Sequence, residues 1–213
     1  REETVKAMET GMEAAGILKE KGCRLAGCGE MGIGNTTTSS AVLSVLLGKE
    51  PEEVTGRGAG LSDEALNRKI RVIREGIMLC HPDPEDAIDV LSKVGGLDLA
   101  ALAGFISAVP VMDPGGAGRI DYGCGCSGGC EAFSDGKGLS AGFSRIRRAC
   151  GSYGLRGAGL KAAIHGEMCL GEGTGAAALF PLLDMAAAVY GQMESFEEIH
   201  VEQYRRFGKE EEE

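Results

Sequence analysis

The sequence predicts an α/β layered fold with a parallel sheet. Short semi-apolar runs alternate with amphipathic stretches of helical length, and glycine-rich turns follow the runs directly. Strands that alternate with helices in this way build parallel sheets covered by helices. With 213 residues, 43% of them apolar, the chain is long enough for one domain or a small pair with a buried core.

The elements follow in order. Residues 2–21 carry Val5, Met8, Met12 and Leu18 near helical spacing, which predicts an amphipathic helix. Cys23–Cys28 reads as a buried strand and Gly29–Asn35 as a glycine-rich turn. A helix through Ala41, Val42, Val45 and Leu46 comes next, with Gly48 placed to end it. Ser62 and Asp63 can cap a further helix, whose Leu66, Ile70, Ile73 and Ile77 step along one face. Beyond Pro82 and Pro84, residues 85–94 and 97–108 read as two helices separated by Gly95 and Gly96. Ala108–Asp113 reads as another buried strand. Met168–Leu170 reads as a strand end before Gly171–Gly175, after which an alanine-rich helix runs to about Tyr190. Ligands of such sheets gather beyond the carboxyl ends of the strands, where both glycine turns would lie.

Charge narrows the function. A net charge of −10 argues against nucleic acid, which needs a basic footprint. Part of that charge is a solvated tail, Glu210–Glu213. No apolar run approaches the roughly 20 residues of a membrane span, and no signal peptide is visible. The cytoplasm is therefore the expected compartment, despite eight cysteines.

Three constellations carry chemistry. The first is Gly29-Glu30-Met31-Gly32-Ile33-Gly34-Asn35-Thr36-Thr37. Its glycines let backbone approach a ligand, and the opening helix offers unpaired N–H groups to an anion. The same residues also suit a tight turn with an ordinary N-cap. The second is Lys69, preceded by Gly56-Arg57-Gly58-Ala59-Gly60. It is either a solvated helix lysine or a point charge for a phosphate. The third is Gly171-Glu172-Gly173-Thr174-Gly175. A partly desolvated Glu172 in this open turn suits a general base, and equally a cap for the helix that follows.

Taken together and in order, GEMGIGNTT (29–37), EEVTGRGAG (52–60) with Leu61–Glu64 and Arg68-Lys69, and GEGTGAA (171–177) resemble the nicotinate-nucleotide–dimethylbenzimidazole phosphoribosyltransferase family. The resemblance covers roughly residues 1–113 and 162–207 and is to the C-terminal part of the family's chain. It implies a three-layer α/β/α arrangement with a Rossmann-like sheet, lacking the N-terminal part that helps line the benzimidazole pocket; the missing initial Met points the same way. It implies transfer of the phosphoribosyl group of nicotinate mononucleotide to 5,6-dimethylbenzimidazole, giving α-ribazole 5'-phosphate and nicotinate. Glu172 falls on the general base that takes the imidazole proton. Glu30 and Lys69 match active-site positions, and the turn Gly32, Gly34, Asn35, Thr36, Thr37 suits the 5'-phosphate, with Gly171 and Gly173 flanking the base. No metal or redox cofactor is needed, because a pyridinium leaving group asks chiefly for proximity and one base. A homodimer is the family's expected assembly.

Residues 114–161 fit none of this. They are rich in Gly, Cys, Ser and Arg and show no sustained period. Back-translated and read one nucleotide later, Lys137–Lys161 permits K-D-Y-L-L-A-S-H-V-S-A-E-P-A-G-R-M-A-L-E-A-L-G-L-K, whose first part resembles a family segment otherwise missing. The stretch is thus read as out-of-frame translation between two compensating frameshifts, which would leave the site incomplete and put this chain's own activity in doubt. The organisation expected is an α/β domain over 1–113, the aberrant segment 114–161, the catalytic turn and C-terminal helices over 162–207, and an acidic tail over 208–213. The alternative is a non-catalytic nucleotide- or azole-binding protein whose cysteine-rich insertion, with Cys124, Cys126 and Cys130, holds a metal.

Overall fold

The computed structural model describes residues 1–23, 25–58, 60–112, 121–124 and 171–202. The elements are α1 (Glu2–Glu20), β1 (Leu25–Cys28), α2 (Asn35–Leu47), α3 (Pro51–Val54), α4 (Asp63–Cys80), α5 (Ala87–Val94), α6 (Leu97–Met112), β2 (Asp121–Cys124) and α7 (Thr174–Gln192). The chain forms two compact units, Arg1–Leu179 and Phe180–Glu213. That division falls inside the 162–207 stretch and leaves Glu172 in the first unit.

In the first unit, β1 and β2 form a parallel two-stranded sheet, with Leu25 opposite Asp121 and Cys28 opposite Cys124. Along β1 the burial alternates as a strand's period of two requires: Ala26 and Cys28 are buried and Gly27 is exposed. Among the described residues the fold is therefore α/β.

Helix α1 lies on α6, but not on the face its large side chains suggest. Thr4, Gly11 and Ala15 are buried, whereas Val5 and Met12 are exposed. The reason is close backbone approach. A Cβ on Gly11 would fall 1.9 Å from the Ala101 carbonyl oxygen, and one on Gly104 would fall 2.0 Å from that of Met8. Of the expected apolar line, Leu18 packs on the core cluster of Ala15, Ala26 and Ala108.

Helix α2 begins at Gly34 (φ 89°) and ends at Gly48 (φ 58°), both left-handed, as the two glycines allow. Its Val42, with Val45 and Leu46, packs against Val90 of α5 and Leu99 of α6. Helix α4 is capped by Ser62, whose hydroxyl accepts from the Ala65 N–H at 3.3 Å. Ile73 is its most deeply buried apolar residue. Asp86 caps α5, accepting from the N–H groups of Ile88 and Asp89. The single turn α3 has no helical period in the sequence. Pro51 at its first position and the Glu50–Glu53 capping box make it.

Two expectations are corrected. Ala108–Asp113 is not a strand: α6 runs on to Met112. A run of five apolar residues has no period that separates strand from helix, and here it continues the helix packed on α1. The second strand instead lies at 121–124, inside the segment expected to fit no element. Four residues pairing with β1 need only extended backbone, so a run without helical period can supply them. Helix α7 has 19 residues and a mean hydropathy of 1.3, a length and composition that membrane spans and the core helices of soluble proteins share. Its start belongs to the first unit, where Gly175, Ala176 and Leu179 are buried.

In the second unit, Ser195 and Glu198 exchange bonds across a short turn, and Leu182, Met185, Val189, Tyr190 and Met193 are exposed. The strand read at Met168–Leu170 and the tail 208–213 lie outside the described residues.

Candidate active site

The site begins where β1 ends. Gly29 leaves the strand, and the chain turns through Gly34 into α2, whose Asn35 and Thr37 N–H groups donate to the Gly32 and Gly34 carbonyls at 3.1 and 2.8 Å. Asn35, Thr36 and Thr37 are half-buried in that first turn. A Cβ on Gly34 would meet nothing within 4 Å, so among the described residues the space at the helix entrance is open. Gly34 is there for its left-handed φ. Gly32 and Gly29 are there for space. A Cβ on Gly32 would lie 2.9 Å from Asp98 Oδ2, and one on Gly29 would lie 2.1 Å from the Gly173 nitrogen.

Glu30 folds back on its own turn. Its carboxyl group accepts from the Gly32 N–H at 3.1 Å and from the Asn35 amide. The side chain is buried, and this burial pushes its pKa up. The charge of Asp98 and a hydrogen bond with Asp98 add to the rise, while the bonds from Asn35 and Gly32 oppose it.

Lys69 joins the second motif to the first. On α4 it is only 8% exposed, although a lone helix lysine is ordinarily solvated. Its Nζ donates to Thr36 Oγ1 at 2.7 Å and to the Gly56 carbonyl at 3.1 Å. Gly58, left-handed at φ 56°, lies over this pair: a Cβ there would be 3.2 Å from Thr36 Oγ1. Helix α4 thus brings an ammonium, held by the Gly56 carbonyl, to the N-terminus of α2, a place already favourable to anions.

The third motif meets the first through backbone. Gly173 (φ 84°) sits against Gly29, and Gly171 is buried. Glu172 stands between them at φ 60°, a left-handed value uncommon for a residue with a Cβ. Its side chain is exposed, not partly desolvated as expected, because the turn lifts it clear of the packed backbone. The helix start is satisfied by Thr174, whose N–H and hydroxyl both donate to the Gly171 carbonyl, at 3.0 and 2.7 Å. No hydrogen bond holds the Glu172 carboxylate among the described residues, so Glu172 does not cap α7 there.

The structure therefore brings Glu30, Gly32, Gly34, Asn35, Thr36 and Thr37 together with Lys69 on one side and Gly171–Gly173 on the other. The sequence reading missed Asp98, which in sequence is an ordinary acidic residue in the first turn of a helix. Cys28 ends β1 beside these turns, and burial pushes its thiol up to about 11, so it packs as a small apolar group. Cys126, Cys130 and Cys150 lie outside the described residues, and Cys124 is described by its backbone alone. Among the described residues no group of three or more His, Cys, Asp or Glu is placed to hold a metal ion.

Known proteins resemble this chain in sequence and fold. A family model described as phosphoribosyltransferase matches residues 1–111 and 151–201. The nicotinate-nucleotide–dimethylbenzimidazole phosphoribosyltransferase of Ruminiclostridium cellulolyticum is 41% identical over 96% of this chain and 58% of its own length. The protein of the same name from Clostridium acetobutylicum is 42% identical, covering 96% of this chain and 58% of that protein. Among solved structures, CobT from Thermus thermophilus matches with a TM-score of 0.74 at 30% identity, covering 95% of this chain and 61% of that one. The chain spans less than two thirds of the length of these relatives. Family model, curated relatives and solved structure agree, and the chain belongs to the nicotinate-nucleotide–dimethylbenzimidazole phosphoribosyltransferase family.

Proposed function

We propose that this chain carries the catalytic core of an enzyme that moves the phosphoribosyl group of nicotinate mononucleotide onto 5,6-dimethylbenzimidazole. The products are α-ribazole 5'-phosphate and nicotinate. The observation that carries the reading is the meeting of three sequence-distant motifs at one end of β1: Lys69 bonded to Thr36, and Gly29 packed on Gly173. An ammonium beside a helix N-terminus forms an anion site for the 5'-phosphate. Glu172, lifted into solvent on a glycine-flanked turn, takes the imidazole proton as the other ring nitrogen attacks the anomeric carbon. Nicotinate leaves with the bonding electrons, its pyridinium becoming neutral.

The wider reading is a three-layer α/β/α fold with a Rossmann-like sheet, of which β1 is one strand. The reading includes a homodimer working in the cytoplasm on these small molecules, without nucleic acid or membrane. The net charge of −10 supports the exclusion of nucleic acid. The segment 114–161 is out-of-frame translation in this reading. The gap in the family match from 112 to 150 supports it, although the match resumes ahead of residue 161. Sequencing the DNA decides this point: codons that forbid D-Y-L and S-H in the shifted frame would sink it.

The activity test is chromatographic detection of α-ribazole phosphate, using protein extended to the family's length with 114–161 read in the shifted frame. Glu172→Gln is expected to abolish most turnover while leaving nucleotide binding nearly intact. Equal loss of both would make Glu172 structural.

A further inference from the structure

Asp98 belongs to none of the three motifs, yet its carboxylate reaches the first of them. It sits in the first turn of α6, where a helix favours negative charge. Glycines leave room for it on two sides. A Cβ on Gly96 would fall 2.3 Å from Asp98 Oδ1, and a Cβ on Gly32 would fall 2.9 Å from Oδ2. The same hypothetical atom on Gly32 would be 3.4 Å from Glu30 Oε2, so both carboxyl groups crowd one point of the turn. Two carboxylates in such contact repel, and one of them must carry a proton to form a hydrogen bond. Glu30 is the more buried of the two.

We propose that Asp98 is a positioning residue: it accepts the Glu30 carboxyl proton as a hydrogen bond and so latches the Gly29–Asn35 turn closed at the N-terminus of α2. The neutral donors on Glu30 are the Gly32 N–H and the Asn35 amide. Among the described residues, the charge that acts on Glu30 from another element is Asp98 of α6, because the α4 ammonium of Lys69 is turned to Thr36 and Gly56. The latch makes the turn sensitive to pH. Losing the shared proton sets two carboxylates against each other and opens the turn, so the anion site weakens as pH rises through that ionisation. The effect on ligand rests on the anion-binding reading given above, whereas the latch itself does not.

The test therefore has two readouts on the 213-residue chain. The first is the Gly32 amide resonance, which reports the carboxyl group it donates to, followed from about pH 4 to 9 without ligand. Wild type is expected to show one titration above the ordinary carboxylate range. Asp98→Asn supplies a permanent amide donor, so the titration should move towards the ordinary range. Glu30→Gln should remove it. The second readout is sulfate affinity, because sulfate keeps its charge over this range. Wild type should lose about tenfold across the titration, the size expected for one charge-assisted hydrogen bond, and Asp98→Asn should not. Asp98→Glu, which restores a carboxylate, should bring the pH dependence back and guards against misfolding of the amide variant. A Gly32 titration identical in wild type and Asp98→Asn overturns the latch. A titration that shifts as expected without any sulfate binding leaves the latch standing and overturns the anion reading.

Discussion

Gly29 and Gly173 touch backbone to backbone: a Cβ on Gly29 would fall 2.1 Å from the Gly173 nitrogen and 2.4 Å from its Cα. The contact is not symmetric. A Cβ on Gly173 would clear Gly29 Cα by 3.6 Å, so Gly173 is constrained by its φ of 84° and not by space. Gly29→Ala must push two backbone segments apart and is expected to destabilise by about 3 kcal/mol. Gly173→Ala carries only the left-handed penalty, about 1–2 kcal/mol. Urea midpoints of the two variants check the order. A smaller loss for Gly29→Ala would mean that the turns can separate freely.

Glu172 holds a left-handed φ that glycine adopts without penalty. Glu172→Gly is accordingly expected to stabilise the chain by about 1 kcal/mol while abolishing turnover. Thermal melts paired with product assays check this. Destabilisation by glycine would show that the side chain holds the turn together.

Lys69 is buried with both a hydroxyl and a carbonyl as acceptors. Lys69→Met keeps the apolar stem, removes the charge, and is expected to weaken nicotinate mononucleotide binding by about tenfold or more. Lys69→Arg should not rescue it. The guanidinium is wider, and a Cβ placed on Gly58 already comes within 3.9 Å of Nζ. Calorimetric titration of both variants measures the effect, and full rescue by arginine would argue for long-range charge alone.

Glu30 titrates above its ordinary value of 4.5 in the folded chain, first because it is buried and then because Asp98 faces it. The sign follows from linkage. A carboxyl group with a raised folded pKa binds its proton more tightly when folded. Its contribution to stability is complete below the unfolded pKa and is lost as pH rises through the folded one. Glu30→Gln should flatten this part of the stability–pH curve. Denaturation at several pH values between about 4 and 8 tests it, and parallel curves for the two proteins would contradict it.

Local chemistry made much of the fold legible. Gly48 and Ser62 mark helix ends because a left-handed terminus and a side-chain cap are decided within a few residues. The face of α4 was legible from its period, with Ile73 innermost. The run from Ala108 was not, since five apolar residues suit strand and helix alike. Nor was the burial of Thr4, Gly11 and Ala15 in place of Val5 and Met12. Which face of a helix is covered depends on how closely its neighbour can approach, and on α1 the glycines decide it.

The candidate site divides along the same line. The sequence alone determined the three motifs and their order, because glycine spacing, helix-opening residues and a carboxylate between glycines are local properties of the chain. Only tertiary structure decided what each residue does there. It turned Lys69 inward to Thr36, folded Glu30 back onto Gly32 and Asn35, and brought Asp98 from α6 to face Glu30. Those outcomes depend on which residues distant in sequence share a buried volume. Desolvation and charge act across that volume through space, and no local pattern in the chain records them.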